Sequence, residues 1–377
     1  MTALAPAPAS PRLNGITGLR WWAAFAVFGH HFMNLAPLPA LIAGFAGFGH
    51  LGVTFFFVLS GFVLTWSWRA ETDRRTFYWR RFARIYPLHL LTLLLAIPVF
   101  YRFTVDPSEP WIKTFDAGLL LLSVVLLQGW SRDPAVLFSG NPAAWTLTVE
   151  AFFYALHPFL IAPLRRLGRR GALIGATAVI AAAFGTRIGI VLFPGGWLSD
   201  LPWPVLHLNE FVLGMCLAWA YRAGWRVRAS PWVPFALLMG WFAALLVLPR
   251  TGGQALFTVV APFNAEVVTV LLALLIATVA TRDLDGRAGL LGARPVVALG
   301  EWSYAFYLIH ATAIYLVLEV FGYQGGSYWR SLAWFVGLLA VSIAAAWALH
   351  VGVERPMERR LRRWQQDRRA RRVAISA

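Results

Sequence analysis

The sequence has little charge, and it has almost none of the cysteine and lysine that soluble proteins carry. Of its 377 residues, 13% are charged and 59% are hydrophobic, and it has one cysteine, Cys216, and one lysine, Lys113. So little charge excludes a soluble globular protein and indicates a polytopic membrane protein. Because Cys216 is alone, the chain can form no intramolecular disulfide, and its cysteine content implies no redox compartment.

Negative charge is scarcer than positive charge. The chain has 17 acidic and 33 basic residues, a net charge of +16, and the arginines lie in short loops between apolar runs. That placement is typical of positive-inside topology, so no nucleic acid is expected as a partner. Residues 1–14 are rich in proline and alanine and lack the basic start and cleavage site of a signal peptide, so they are predicted to be a disordered tail.

Eleven apolar runs are long enough to be considered as membrane spans, since a span requires about 20 residues. The runs lie at 20–36, 50–68, 85–103, 115–130, 144–163, 172–193, 203–221, 232–249, 257–281, 297–320 and 331–352. If all eleven crossed, the basic loop at 165–170 would face outside, against the positive-inside rule. If instead 115–130 is re-entrant or interfacial, every basic cluster faces the cytoplasm.

The sequence therefore predicts an all-α polytopic membrane protein with about ten transmembrane helices and one re-entrant or interfacial segment. Both termini are expected in the cytoplasm, and the protein is expected to be multi-pass in the inner (plasma) membrane. Residues 15–356 are predicted to form one membrane domain. The basic cytoplasmic tail at 357–377 is expected to rest on anionic lipid headgroups.

The first apolar run carries an arginine and a histidine on one helix face. Arg20 and His31 are eleven residues apart, which is about three helical turns to within roughly 20°, and about 16 Å along the axis. Ionisable groups inside a bilayer are costly and mark functional sites. His31 titrates near neutral pH and is predicted to be a general base, although it would also fit as a buried core histidine. His30 is about 100° away and leaves that face.

Two further ionisable residues are predicted to approach His31. If residue 144 lies at the outer membrane surface, Glu150 lies about 20 Å above the inner surface, and His310 reaches a similar level. At that depth Glu150 would orient the His31 imidazole and stabilise its charged form. The alternative is that Glu150 and His310 are a buried polar pair that only fixes helix packing.

A cluster of arginines precedes the third apolar run. Arg80 and Arg84 share a helix face, and Arg81 lies beside them. Guanidinium forks bind phosphate well, and Arg20 is expected at the same membrane surface. A phosphate-rich donor that enters from the cytoplasm would therefore fit. The alternative is that these arginines only set the topology.

Six segments together carry a family resemblance. They are 18–31, 52–62, 78–88, 145–154, 303–310 and 354–356. In this order they resemble the acyltransferase 3 family of bacterial integral-membrane O-acyltransferases, over about residues 15–356. The resemblance implies transfer of an acyl group, most simply from acetyl-CoA, to a hydroxyl of a carbohydrate or a glycosylated small molecule such as a macrolide antibiotic or an envelope glycan, with no metal.

The resemblance also implies residue roles. It makes His31 and Glu150 the catalytic residues. Independently of the family, we predict that Arg20, Arg80, Arg81 and Arg84 bind the donor and that Ser60, Tyr304 and His310 support the substrate.

A proton-coupled transporter or exporter of a small organic anion is the rival hypothesis. In that case the arginines and His31 would line the substrate and proton path. A transporter predicts alternating access and no dependence on CoA. The sequence shows no obvious internal repeat of the kind that many transporters have.

Overall fold

The computed structural model describes residues 11–104, 109 and 111–376, so most of the tail predicted at 1–14 lies outside the described residues. Most of the described chain is helical. The helices are α1 (Asn14–Phe32), α2 (Ala40–Gly47), α3 (Gly52–Trp66), α4 (Arg74–Phe100), α5 (Ala117–Val124), α6 (Pro134–Leu137), α7 (Trp145–Leu164), α8 (Arg169–Leu192), α9 (Trp203–Leu206), α10 (Leu208–Arg222), α11 (Trp232–Val247), α12 (Gln254–Val260), α13 (Asn264–Leu284), α14 (Arg294–Phe321), α15 (Tyr328–Leu349) and α16 (Arg355–Ser376).

The prediction of an all-α polytopic membrane protein is confirmed. Within the described residues, eight helical stretches are long and apolar enough to cross a membrane. The predicted spans at 20–36 and 203–221 correspond to α1 and α10, which are not among those eight. Helix α10 has only 15 residues, and the polar residues of α1, Arg20 and two histidines, lower its hydropathy. The count of ten spans and the side of the termini stay predictions.

The segment predicted to be re-entrant or interfacial forms no continuous helix. Residues 115–130 contain the short helix α5 and a 3₁₀ turn, Gln128–Trp130, and they are flanked by the short helix α6 and by a pair of two-residue parallel strands, β1 (Tyr101–Arg102) and β2 (Lys113–Thr114). The chain that follows them passes inside the protein, where the fully buried Asn141 donates a hydrogen bond to the Leu308 carbonyl, 2.7 Å away. Helix α7 therefore begins within the bundle and not at its surface.

Helix α4 begins at a charged cap. The Asp73 carboxylate accepts a hydrogen bond from the Thr76 backbone N–H at 2.9 Å, and this bond holds the pKa of Asp73 below its usual value. Such caps satisfy an amide at the helix start that has no partner within the helix. Arg369 of α16 lies 2.7 Å from the same carboxylate. The start of α4 is thus tied to the end of the chain.

Helix α16 is docked on α4 and does not lie free as a tail. A π-helical turn, His350–Glu354, leads into it from α15. The Trp79 indole N–H donates to the Leu361 carbonyl at 2.7 Å, and the rings of Trp79 and Trp364 stack with centroids 4.9 Å apart. Contact of its exposed arginines with lipid headgroups stays a prediction.

Glycines let two helix pairs touch backbone to backbone. A Cβ on Gly300 of α14 would lie 1.8 Å from the Thr17 carbonyl oxygen of α1. A Cβ on Gly61 of α3 would lie 2.0 Å from the Phe211 carbonyl oxygen of α10. No side chain fits in such gaps, and small residues are what permit this approach between membrane helices. The register of α1 against α14, which carry several predicted site residues, is fixed in this way.

Candidate active site

A cavity of about 110 Å³ lies between α1, α3, α4, α7 and α14. Its lining combines charged, hydroxyl-bearing and apolar side chains: Arg20, Val53, Phe56, Phe57, Arg84, Ile85, Thr146, Leu147, Glu150, Tyr154, Ser303, Tyr304 and Tyr307. A concave pocket that is mostly apolar and carries a few converging polar groups is the usual form of a ligand site. Several predicted site residues from four helices therefore meet in one cavity.

The cavity is lined by one carboxylate, that of Glu150, and by two arginines, of which Arg20 is the one without an ion pair in the described chain. Glu150 accepts a hydrogen bond from the Tyr154 hydroxyl at 3.0 Å, one turn later on α7. Ser60, from α3, lies beside the same hydroxyl. Arg20 makes no hydrogen bond or ion pair with any residue that the structure describes, although it lines the same cavity as Glu150. Its guanidinium is therefore available to an anionic or polar ligand.

Hydroxyl groups cover another wall of the cavity. The hydroxyls of Thr146 and Tyr307 are 3.1 Å apart, and both donate to the Ala143 carbonyl at the start of α7. Tyr304 donates to the Ile85 carbonyl at 2.9 Å. These bonds hold the tyrosine rings of α14 in place against α4 and α7.

The structure brings His31 and His310 together. Their ring centroids are 5.2 Å apart, and the ring of His30 lies 5.4 Å from that of His31. His310 is fully buried, its Nδ1–H donates to the Phe306 carbonyl at 3.1 Å, and its Nε2 has no partner in the described chain. The predicted meeting of α1 and α14 at these histidines is thus present.

The structure does not bring Glu150 to His31. The only side chain that shares a hydrogen bond with Glu150 in the described chain is Tyr154, and the carboxylate lines the cavity at the level of Arg20. The predicted depth assumed that residue 144 lies at the membrane surface. Ala144 is fully buried, because the preceding segment folds into the bundle, so Glu150 lies closer to the arginine-rich end than we expected.

The ring of Tyr307 connects the cavity with the histidines. It lines the cavity, and its centroid lies 5.9 Å from that of His310. Tyr304, Tyr307 and His310 follow one another at three-residue intervals, so they lie along one face of α14, about 4.5 Å apart in height. The cavity and the histidine pair therefore form one continuous line of polar groups.

The three predicted donor-binding arginines of α4 are not equivalent. Arg84 is paired with Glu354 and, at 3.3 Å, with Glu358, both at the start of the C-terminal region. Arg81 lies over the Phe77 ring, and its Nε is buried without a hydrogen-bond partner in the described residues. Arg80 makes no ion pair in that part of the chain. Two of the three guanidiniums are therefore open to an anion, whereas Arg84 is already neutralised.

Sequence reasoning missed the residues that support this site. Tyr154, Tyr307 and Thr146 line the cavity, and Glu354 holds Arg84. The spacing of two of them could have indicated the site. Tyr154 is four residues after Glu150, and Tyr307 is three residues after Tyr304, so each shares a helix face with a predicted site residue. Glu354 belongs to a segment of the family resemblance, but its partner is not readable from sequence.

We expect Glu354→Gln to loosen the docking of α16. The substitution removes the fully buried carboxylate from Arg84, which is 27% exposed, and leaves Glu358 as its partner. Removing one partner of a buried pair costs about 3–5 kcal/mol, and the exposure and the second partner reduce this to about 1–2 kcal/mol. Trypsin should cleave the arginines of α16 several-fold faster in detergent.

The matched variant for this experiment is Glu358→Gln, which removes the more distant and more exposed carboxylate. It should change the cleavage rate less. Equal rates for both variants and the parent protein would show that the pair does not hold α16.

These features define the class of protein: a membrane-embedded bundle of helices that encloses a charged, hydroxyl-lined cavity. A family model described as an acyltransferase domain matches residues 13–351. The chain belongs to this family of acyltransferases.

Two relatives resemble the chain over nearly its whole length. Acyltransferase MdmB of Streptomyces mycarofaciens is 36% identical over 383 residues, which cover 94% of both chains. Nodulation protein 10 of Rhizobium leguminosarum bv. viciae is 26% identical over 362 residues, 91% of this chain and 92% of its own. Peptidoglycan O-acetyltransferase OatA of Listeria monocytogenes is 24% identical over 344 residues, 84% of this chain and 52% of its own. No solved structure matches the chain.

Proposed function

We propose that the protein transfers an acyl group, most simply acetyl, from acyl-CoA to a hydroxyl of a carbohydrate or a glycosylated small molecule. The observation that carries the proposal is the line of polar groups in an acyltransferase chain: an unpaired arginine in the cavity, then Tyr307, then the His31 and His310 pair. Such a line suits a reaction between a phosphate-bearing donor and a hydroxyl.

The donor is proposed to bind from the arginine-rich end, which the positive-inside rule places in the cytoplasm. Arg20, Arg80 and Arg81 have no ion-pair partner among the described residues and would hold the phosphates of acyl-CoA. A cavity of about 110 Å³ has room for the acyl thioester but not for a nucleotide, so the nucleotide would stay outside it. Arg84 would act indirectly, by holding α16 against α4.

His31 is proposed as the general base. It takes the proton of the acceptor hydroxyl, whose oxygen attacks the thioester carbonyl. When the tetrahedral intermediate collapses, the C–S bond breaks and the thiolate of CoA takes that proton back from His31. Enclosure within the bundle would keep water away and limit wasteful hydrolysis of the thioester.

Glu150 is proposed to act on the donor side of the cavity. Because the carboxylate lies with Arg20 and Tyr154, it would orient the arginine or a polar group of the donor. This differs from the role expected from the sequence, in which Glu150 orients His31. The names of two relatives, an acyltransferase and a peptidoglycan O-acetyltransferase, support O-acyl transfer and leave a glycan or a glycosylated metabolite as the proposed acceptor.

The test is release of free CoA by the purified protein. Acetyl-CoA would be supplied with a glycosylated macrolide, a soluble peptidoglycan fragment and a methyl glycoside as acceptors, and the acylated product identified by mass. Release that depends on an acceptor would support the proposal. No release with any acceptor, together with no binding of CoA, would reject it in favour of the transporter hypothesis.

Arg20→Gln and Arg81→Gln should each weaken CoA binding by about tenfold or more. Each removes a guanidinium that makes no hydrogen bond or ion pair with a described residue, and one hydrogen bond to a charged group contributes about 1.5–3 kcal/mol. Calorimetry with CoA measures the change in Kd. Arg74→Gln is the control on the same helix, because Arg74 is exposed and lies over the Phe159 ring. An unchanged Kd in both site variants would contradict this donor site.

A further inference from the structure

A second pair of ionisable side chains lies next to the cavity. His207 precedes α10, and its Nδ1 is 3.1 Å from a carboxylate oxygen of Glu210. The other carboxylate oxygen accepts a hydrogen bond from the Thr54 hydroxyl at 3.4 Å. Glu210 is 3% exposed. Burying a carboxylate within a membrane protein is energetically unfavourable, so such a residue is a candidate for a functional role.

The carboxylate fixes which nitrogen of His207 carries the proton. With Nδ1–H donated to Glu210, Nε2 of the neutral ring is left as an acceptor. This Nε2 is buried and has no hydrogen-bond partner in the part of the chain that the structure describes, and the same is true of the Trp203 indole N–H. A buried donor and a buried acceptor, both without partners, are each destabilising unless something else binds them.

Aromatic rings surround these two groups. The Trp203 ring stacks on His207 with a centroid distance of 5.7 Å and an angle of 17°. The Trp145 ring lies 6.0 Å from His207. The exposed Arg132 covers Trp203, with its guanidinium carbon 4.1 Å from the ring centroid. Arg132 also donates to the Ser199 carbonyl at 3.2 Å, so an exposed side chain covers this group on the side of Trp203.

Phe57 separates this group from the cavity. Its ring centroid lies 4.9 Å from that of His207, and the same residue lines the cavity. The group lies at the first turn of α10, whereas the last residue of α10, Arg222, donates to the Trp66 carbonyl at 2.8 Å near the basic loop. His207 therefore lies at the end of the bundle away from the arginine-rich end.

We propose that His207, Trp203 and Trp145 form the acceptor subsite, and that its ligand is a hydroxylated ring such as a sugar. One acceptor hydroxyl donates to Nε2 of His207, and a second oxygen accepts from the Trp203 N–H. Phe57 turns aside to join the subsite to the cavity. Glu210 acts as a positioning residue. This inference rests on the proposed function and specifies where its acceptor binds.

The experiment is steady-state kinetics with the acceptor that gives the fastest CoA release in the panel described above. His207→Gln and Trp203→Phe should each raise the KM for that acceptor at least tenfold, with the KM for acetyl-CoA changed less than twofold. Trp203→Phe keeps the aromatic ring and removes only the N–H, so it should fold even if His207→Gln does not. Glu210→Gln should raise the acceptor KM as well, by releasing the His207 ring.

Trp197→Phe is the matched control, because Trp197 is 74% exposed and lies in the same loop region before α9. An unchanged acceptor KM in Trp203→Phe, or a loss of kcat with no change in acceptor KM, would overturn the subsite. Parent protein that releases no CoA with any acceptor would reject the proposed function itself, and the subsite with it. Failure of the subsite alone leaves an active parent protein, so it can be distinguished from failure of the proposed function.

Discussion

His31→Ala is expected to lower kcat by at least about 100-fold, the range that general acid–base catalysis contributes. CoA binding should remain nearly intact, because His31 lies beside His310 and away from the three free arginines. The measurements are acceptor-dependent CoA release and CoA binding by calorimetry on the same preparation.

His50→Gln serves as the control for this experiment. His50 is exposed and bonded to the Gly47 carbonyl at 2.9 Å, and it should keep most of the parent activity. If His31→Ala lost CoA binding together with turnover, His31 would be a donor ligand and not a base. If it kept its turnover, the proposed mechanism would be wrong.

Gly300→Ala is expected to prevent the bundle from assembling correctly. The added methyl would lie 1.8 Å from the Thr17 carbonyl oxygen, and since both are on helix backbones, neither can give way alone. Overpacking of this kind costs about 3 kcal/mol or more. We expect the folded, monodisperse fraction in detergent chromatography to fall several-fold, and CoA binding to fall with it.

Gly29→Ala is the matched variant on the other helix of that pair. A Cβ on Gly29 would meet nothing within 4 Å, and alanine favours helix over glycine by about 1 kcal/mol. This variant should fold as well as the parent protein or better. Similar yields from both variants would show that the contact between α1 and α14 is looser than the glycine indicates.

The sequence predicted the all-α membrane architecture well because each apolar helix is specified locally. An apolar run of about 20 residues has few ways to satisfy its backbone in a bilayer other than as a helix. The shared face of Arg20 and His31 follows from helical periodicity alone. The meeting of His31 with His310 was also expected, and it depends only on α1 and α14 being neighbours.

The relation of Glu150 to its neighbours was not predictable in the same way. It depends on where α7 begins, and that is set by the irregular segment at 101–141, whose buried Asn141 bonds to α14. Similarly, the charge pattern of the C-terminal region indicated a surface tail, whereas Glu354 and Glu358 bring it onto α4. In both cases long-range hydrogen bonds and ion pairs decide the outcome, and a single sequence does not reveal them.

The direct backbone contacts at the glycines also limit how far the helices can move against one another. Where Gly300 meets α1 and Gly61 meets α10, carbonyl oxygens lie against helix backbone with no layer of side chains between them. Domain motions of the shear type proceed by small repacking of such a layer. We therefore expect the bundle to serve as a stationary frame at these contacts. Two substrates that approach from opposite faces would have to meet at a site that stays still.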